Sequence, residues 1–285
     1  SFCNICCNIG FLINYAVLFK TSMPTTLKLL GCDLPHWLGN NGTGKLVWNT
    51  IFCFVLLVPL CLPMQLGSLR YASMSSILIT FFIVGTISTL SFRDSLFDDS
   101  NDEPFIDRMH MAMTTDRTNM DSVFSALPYI IFSYMYQPCI PQIYHEMKVK
   151  SLTNIKKVLF AGTFIASFAY IAVGIFGYVT FASRPDVDKL FDHDKNILQY
   201  YPKLPVAEAC LLGLIFVVTF ANPFCLVPAK IAIMELTNKP GQEKTAKQNF
   251  AITIGLLVIT YLIALFCSDI GDAMSILGPT TNTGI

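Results

Sequence analysis

The sequence is poor in charge. Only 13% of its 285 residues are Asp, Glu, Lys or Arg, and 19 basic side chains balance 19 acidic ones. That scarcity excludes a nucleic-acid binder, which needs a basic surface, and it is far from the charge content of an ordinary soluble domain. The motifs HExxH and GxSxG are missing, as are paired carboxylates inside apolar stretches, so an enzyme working within a membrane is not expected. No Asp, Glu, Lys, Arg or His falls near the centre of any apolar run, which leaves nothing there to titrate. A disulfide scaffold is also not expected. Of ten cysteines only Cys32 lies clearly in a loop, and the others fall in or beside apolar runs, where a thiol packs as a small hydrophobe. Cys3, Cys6 and Cys7 form a CxxCC without His or carboxylate and read as packing, not as a metal site.

What the chain does have is hydrophobic length. Apolar residues make up 53% of it, and a hydrocarbon core of ~30 Å takes about 20 residues of helix to cross. Seven runs meet that length, at 2–19, 46–64, 71–92, 123–143, 158–182, 205–234 and 250–267, and an eighth begins near Ala273, covering 273–285. They are too long for strands of a membrane barrel. The expected fold is an all-α integral membrane protein, a multi-helix transmembrane bundle forming a single domain over 1–285, with membrane lipid around it. If the runs alternate, one side collects nine Lys or Arg: Arg70, Lys148, Lys150, Lys156, Lys157, Lys239, Lys244 and Lys247 with its short loops, and Lys230 inside a helix end. The other ten are spread over long loops that hold most of the acids, so the first side is expected to be cytoplasmic.

Two loop motifs imitate ligand sites. GNNGTGKL at 39–46 has the spacing of a phosphate-binding loop, but Leu46 replaces the Ser or Thr, no strand precedes it and a membrane helix follows. It reads as a flexible loop, with Asn41-Gly-Thr43 a glycosylation acceptor if it faces the secretory lumen. DHDKN at 192–196 starts like a calcium loop, yet Ile197 and Lys203 stand where Gly and Glu are required. The acidic stretch within 93–122 reads as solvated loop in the same way.

Polar residues and prolines inside the runs carry the functional reading. Asn4, Asn8 and Tyr15 fall within about 40° of one another at about 100° per residue, with Asn14 to one side, so the first helix has a polar stripe facing the bundle interior. Interhelical hydrogen bonding and a solute pathway both explain such a stripe. In FSYMYQPCIPQ at 132–142, Pro138 and Pro141 remove backbone donors and free carbonyls around Ser133 and Tyr134. Non-helical backbone at membrane depth survives only when buried in protein or lining a wet cavity, and in secondary transporters such breaks hold substrate and ions. VVTFANPFCLVPAK at 217–230 offers Thr219 and Asn222 beside Pro223, and Pro228 is expected to interrupt the helix again.

At these residues the chain resembles the amino acid/auxin permease family, most closely its sodium-coupled neutral amino acid transporter branch. The likeness runs through NIG at 8–10, LPMQLGSLRYASMSSIL at 62–78, PYIIFSYMYQPCIPQIYHEM at 128–147, IFGYVTF at 175–181, the spacing of Pro223 and Pro228, and DIGDAMSILGPTTN at 269–282. The resemblance implies a partial LeuT-type inverted-repeat fold in which the seven runs match the third to ninth helices, the first two helices being missing and the tenth beginning at Ala273. It implies secondary active transport of an amino acid, coupled to sodium or a proton, with no other cofactor. Ser133, Tyr134, Met135 and Gln137 would then shape the substrate site with Asn8, and Thr219 and Asn222 would lie at the ion site, Thr219 as a sodium ligand. The sequence departs from the family at Ala221, where relatives carry a second threonine, and at Gln137, where relatives often carry His. The chain starts at Ser1 and stops at Ile285 as a helix begins. Two expectations follow: the ordered part of a longer transporter, or a transporter-derived structural subunit that has lost transport and packs with other membrane subunits of a larger assembly. Plasma membrane, vacuole or lysosome, and mitochondrial inner membrane all stay open.

Overall fold

A computed structural model describes residues 2–63, 70–93, 104–114, 120–182, 196–201, 204–237 and 246–267. The expected helix from Ala273, the acidic residues 94–103 and the loop 183–195 lie outside the described residues. The elements are α1 (Phe2–Leu29), α2 (Gly42–Thr50), a π-helical stretch (Ile51–Leu57), α3 (Val58–Cys61), α4 (Arg70–Ser91), α5 (Phe105–Thr114), α6 (Met120–Ser133), α7 (Ile140–Glu146), α8 (Leu152–Ala182), α9 (Pro205–Thr237) and α10 (Ala246–Phe266). Among the described residues there is no strand. Among the described residues, six helical stretches are long and apolar enough to cross a membrane: Asn4–Leu29, Gly42–Cys61, Tyr71–Ser91, Leu152–Phe181, Pro205–Thr237 and Ala246–Phe266. The run 123–143 forms no single helix, because its prolines divide it into α6 and α7.

The main core joins α1, α2–α3, α9 and α10. Leu12, Val17, Phe52, Leu57, Leu226, Leu257 and Ala264 meet there, fully buried, and Phe19 stacks on Phe52 with ring centroids 4.2 Å apart. Lipid is as apolar as leucine, so this core is held by close packing and polar bonds rather than by exclusion of water. A second cluster ties α4, α8 and α9 together through Ile87, Phe181, Cys210 and Leu211, with Leu198 and Tyr201 from the 3₁₀ turn Ile197–Tyr200 and its edge.

Three local features differ from the sequence reading for identifiable reasons. The first helix runs ten residues past the expected end at 19, because its polar continuation is satisfied internally: Thr21, Thr25 and Thr26 donate to the carbonyls of Val17, Thr21 and Ser22. Lys20, read as a loop residue, is buried inside this helix. Second, α9 is continuous through Pro223 and Pro228, so the expected second interruption does not occur. Each proline removes one N–H, and a 33-residue helix packed on α1, α3 and α4 absorbs the loss. Third, Lys230 is fully buried and leaves the census of loop charges.

The two decoy motifs acquire structural roles. Gly44 lies so close to the Gly39 carbonyl that no Cβ fits there, so the glycines of GNNGTGKL let the loop close on the start of α2. The Trp48 indole N–H donates to Leu38 O at 3.0 Å and pins the same turn. Asn196, from DHDKN, caps the following 3₁₀ turn by accepting from the Leu198 N–H at 3.1 Å; Asp192 and Asp194 lie outside the described residues.

Candidate functional site

The polypeptide unwinds between α6 and α7. Helix α6 ends at Ser133, Tyr134 turns, and a 3₁₀ turn, Gln137–Cys139, leads into α7. Pro138 deprives Tyr134 O of its helical donor, and Pro141 does the same to Gln137 O. Both find substitutes: Tyr136 N donates to Tyr134 O at 3.1 Å, and the Ile140 N–H reaches Gln137 O. The Ser133 carbonyl accepts from the Tyr170 hydroxyl of α8 at 3.2 Å. Further bonds from Tyr134 to Ser167 at 3.0 Å, and between the Tyr136 and Thr163 hydroxyls at 2.9 Å, fasten the break to α8. The carbonyls that Pro138 and Pro141 free are therefore both met again within the break, and α8 holds it in place.

Its other side meets α1 and α9. Met135 is buried in the main core with Phe11, Tyr15, Val218 and Cys225. Pro228 leaves Phe224 O without its helical donor, and the Cys139 thiol of the broken segment lies 3.6 Å from that oxygen as a donor. One proline-freed carbonyl is thus met by the thiol that follows another proline.

Helices α1 and α9 pack antiparallel. Asn4 of α1 shares a crevice of about 220 Å³ with Pro138, Pro141, His145, Pro228 and Glu235, at the N-terminal end of α1 and the C-terminal half of α9. Asn8 lies one turn, about 6 Å, further in along α1, and Asn222 about 9 Å in from Pro228 along α9. Both are fully buried. Asn8 donates to Asn4 O at 2.8 Å and to Asn4 Oδ1 at 2.6 Å, and Asn222 donates to Val218 O at 2.7 Å. Each is left with a buried Oδ1 that no group among the described residues bonds. A buried amide oxygen without a donor costs about 1–3 kcal/mol, so each of the two marks a point where a donor or cation is wanted. Thr219 is buried and donates its hydroxyl to Ile215 O at 2.8 Å, which leaves its oxygen lone pairs for a further partner.

The predicted residues divide between two surroundings. Asn8, Met135, Thr219 and Asn222 lie in the packed interior of α1, the break and α9. Ser133 and Tyr134 line a cleft of about 840 Å³ between α4, α6, α8 and α9, walled by Ile83, Tyr129, Tyr170, Ile197 and Val217. A second cleft of about 470 Å³ adjoins it, sharing Thr80, Ala169, Tyr170 and Val217. Gln137 is exposed and borders neither cleft nor crevice. Sequence reasoning missed Tyr170 and Cys139, whose bonds shape the break, because no spacing signal connects them to it.

A family profile described as "Transmembrane amino acid transporter protein" matches residues 1–285. The chain belongs to that family. It is accordingly an integral membrane protein of a transporter family, not of an enzyme family. The sodium-coupled neutral amino acid transporter 7 of Xenopus laevis is 24% identical over 232 residues, covering 79% of this chain and 47% of the relative. The chain thus spans about half the length of that relative. No solved structure matches it.

Proposed function

We propose that this chain forms the core of a secondary active transporter that carries a neutral amino acid across a membrane together with sodium. One observation carries the reading: a family member's helix breaks at Ser133–Gln137 against α1 and α9, where Asn8 and Asn222 keep unbonded oxygens. Unwound backbone and helix ends at such a break bind the charged groups of a small zwitterion without a full charge from the protein. Ser133, Tyr134, Met135 and Gln137 shape the solute site with Asn8. Thr219 and Asn222 give the ion hard, neutral oxygens of the kind sodium favours. The name of the frog relative supports sodium and a neutral amino acid alike. A proton-driven cycle needs a titratable group in the span, and the buried charged side chains among the described residues are Lys20, Arg108 and Lys230, all bonded to backbone carbonyls.

The test uses the full-length polypeptide in proteoliposomes, with labelled neutral amino acids and either sodium or choline outside. Uptake is expected to require sodium, and Ser133→Leu or Thr219→Val is expected to reduce it at least about tenfold, equivalent to about 1.4 kcal/mol, with insertion unchanged. Undiminished uptake in both variants would sink the site assignment. A full-length wild type that takes up no amino acid but co-purifies with fixed membrane partners would favour the structural-subunit reading.

A further inference from the structure

Among the described residues the buried charged side chains are all cations, Lys20, Arg108 and Lys230. Each donates to carbonyls at the C-terminal end of a different helix. The Lys20 Nζ of α1 donates to Ala264 O at 2.5 Å and Cys267 O at 2.7 Å, at the end of α10. The Lys230 Nζ of α9 donates to Cys61 O at 2.6 Å and Pro63 O at 3.4 Å, past the end of α3. Between those two carbonyls, Leu62 O accepts from the Asn249 amide of α10 at 2.9 Å. Arg108 of α5 repeats the pattern on α4, donating to Ser91 O at 2.8 Å and Arg93 O at 3.2 Å.

The physical logic is the same at each end. The last four carbonyls of a helix have no intrahelical donor, and together they carry a partial negative charge of about −0.5. Inside a bilayer no water satisfies them. A buried ammonium is equally costly unless it is paired and fully bonded. Bringing the two together resolves both deficits through charge-assisted bonds at the two lysine sites, whereas Arg108 keeps a buried Nε without a bond. Lys20 sits at the C-terminal end of α10, and Lys230 with Asn249 sits near its N-terminal end. The two lysines therefore act at opposite ends of the same four-helix packing of α1, α2–α3, α9 and α10.

We propose that the end of α3 is a built ammonium cradle whose resident cation is the chain's own Lys230, and that Lys230 and Lys20 are positioning residues fastening this four-helix frame at its two ends. The ligand class is a primary alkylammonium. Lys230→Ala removes three methylenes and the amine, so n-propylammonium is the missing piece. This assignment does not depend on transport.

The experiment is thermal unfolding of the full-length protein in detergent. Lys230→Ala is expected to lower the midpoint by about 5 °C or more, since it leaves carbonyls buried without donors. Propylammonium chloride is expected to restore at least half of that loss, whereas 1-propanol and sodium chloride at the same concentration restore none. No fall in the midpoint, or equal recovery with 1-propanol, overturns the proposal. Labelling of the unaltered protein with acetic anhydride gives a second measurement that no folding defect can obscure. Lys148, Lys150, Lys156 and Lys157 are exposed and should acetylate readily, with Lys20 and Lys230 protected until the protein unfolds. Acetylation of Lys20 or Lys230 at the rate of the exposed four overturns the proposal as well.

Discussion

At the scale of single residues, the informative atoms are those the fold leaves unbonded. Asn222 contributes one donated bond and one buried oxygen without a partner, a poor arrangement for stability alone. Replacing it by Leu, similar in volume and fully apolar, is expected to leave the unfolding midpoint unchanged or raised, because an unsatisfied buried oxygen worth about 1–3 kcal/mol disappears. Sodium-dependent uptake by the full-length protein should fall in the same variant. A lowered midpoint with uptake intact would mean that the amide serves packing and not the ion. Asn8 was legible in the sequence as part of a polar stripe, since a period of 3.6 residues aligns it with Asn4 and Tyr15. Lys20 was not. An ionisable residue after an apolar run reads as the start of a loop, and only the fold brings the α10 carbonyls, more than 200 residues away in sequence, to its ammonium.

At the scale of elements, prolines could be located but not interpreted from sequence. Pro138 and Pro141 lie in a segment that does unwind, while Pro223 and Pro228 lie in one that stays helical. The difference comes from tertiary contacts: Tyr170, Ser167 and Thr163 of α8 bond the irregular segment, whereas α9 is packed along its length against α1 and α4. Pro228→Ala restores the α9 ladder by supplying a backbone N–H to Phe224 O. It should stabilise α9 by up to about 3 kcal/mol while displacing the Cys139 thiol from that carbonyl. The expected reading is a higher unfolding midpoint together with faster alkylation of Cys139 by a maleimide; unchanged alkylation would show that the thiol contact holds nothing. The crossing of α4 and α9 is set by Gly213, where an added Cβ would lie 2.6 Å from Ile79 Cγ2. Gly213→Leu forces the two helices apart and should cost about 1–3 kcal/mol, read as a lower midpoint.

At the scale of the whole molecule, charge scarcity and run length were enough to read a helical membrane bundle, because a hydrocarbon solvent allows few other solutions. Which faces meet protein and which meet lipid was not legible, since apolar side chains serve both. The structure separates them: α1 and α9 are largely enclosed, whereas α8 presents Phe160, Phe164 and Phe168, each 66–75% exposed, along one face. Their four-residue spacing makes a continuous ridge. Phe168→Asp places a carboxylate on that ridge near mid-helix and should raise the insertion cost by about 3 kcal/mol or more. A glycosylation-mapping assay should show a reduced inserted fraction, and Phe168→Leu should show none. Equal insertion of both variants would place this face against protein.

The π-helical stretch Ile51–Leu57 has a consequence for insertions and deletions. Its wider turn accommodates what amounts to an extra residue in an otherwise α-helical span. Deleting one residue there would let the hydrogen-bond ladder close in α form, with the segments on either side keeping their facing. The span would still be long enough for the bilayer, and the carbonyls of Cys61 and Pro63 would still surround the Lys230 ammonium. A residue deleted from the regular helix Gly42–Thr50 has no such outlet: everything beyond it would rotate by about 100° and retreat by about 1.5 Å, and Lys230 would lose those oxygens. A one-residue deletion should therefore be tolerated within Ile51–Leu57 and damaging just before it.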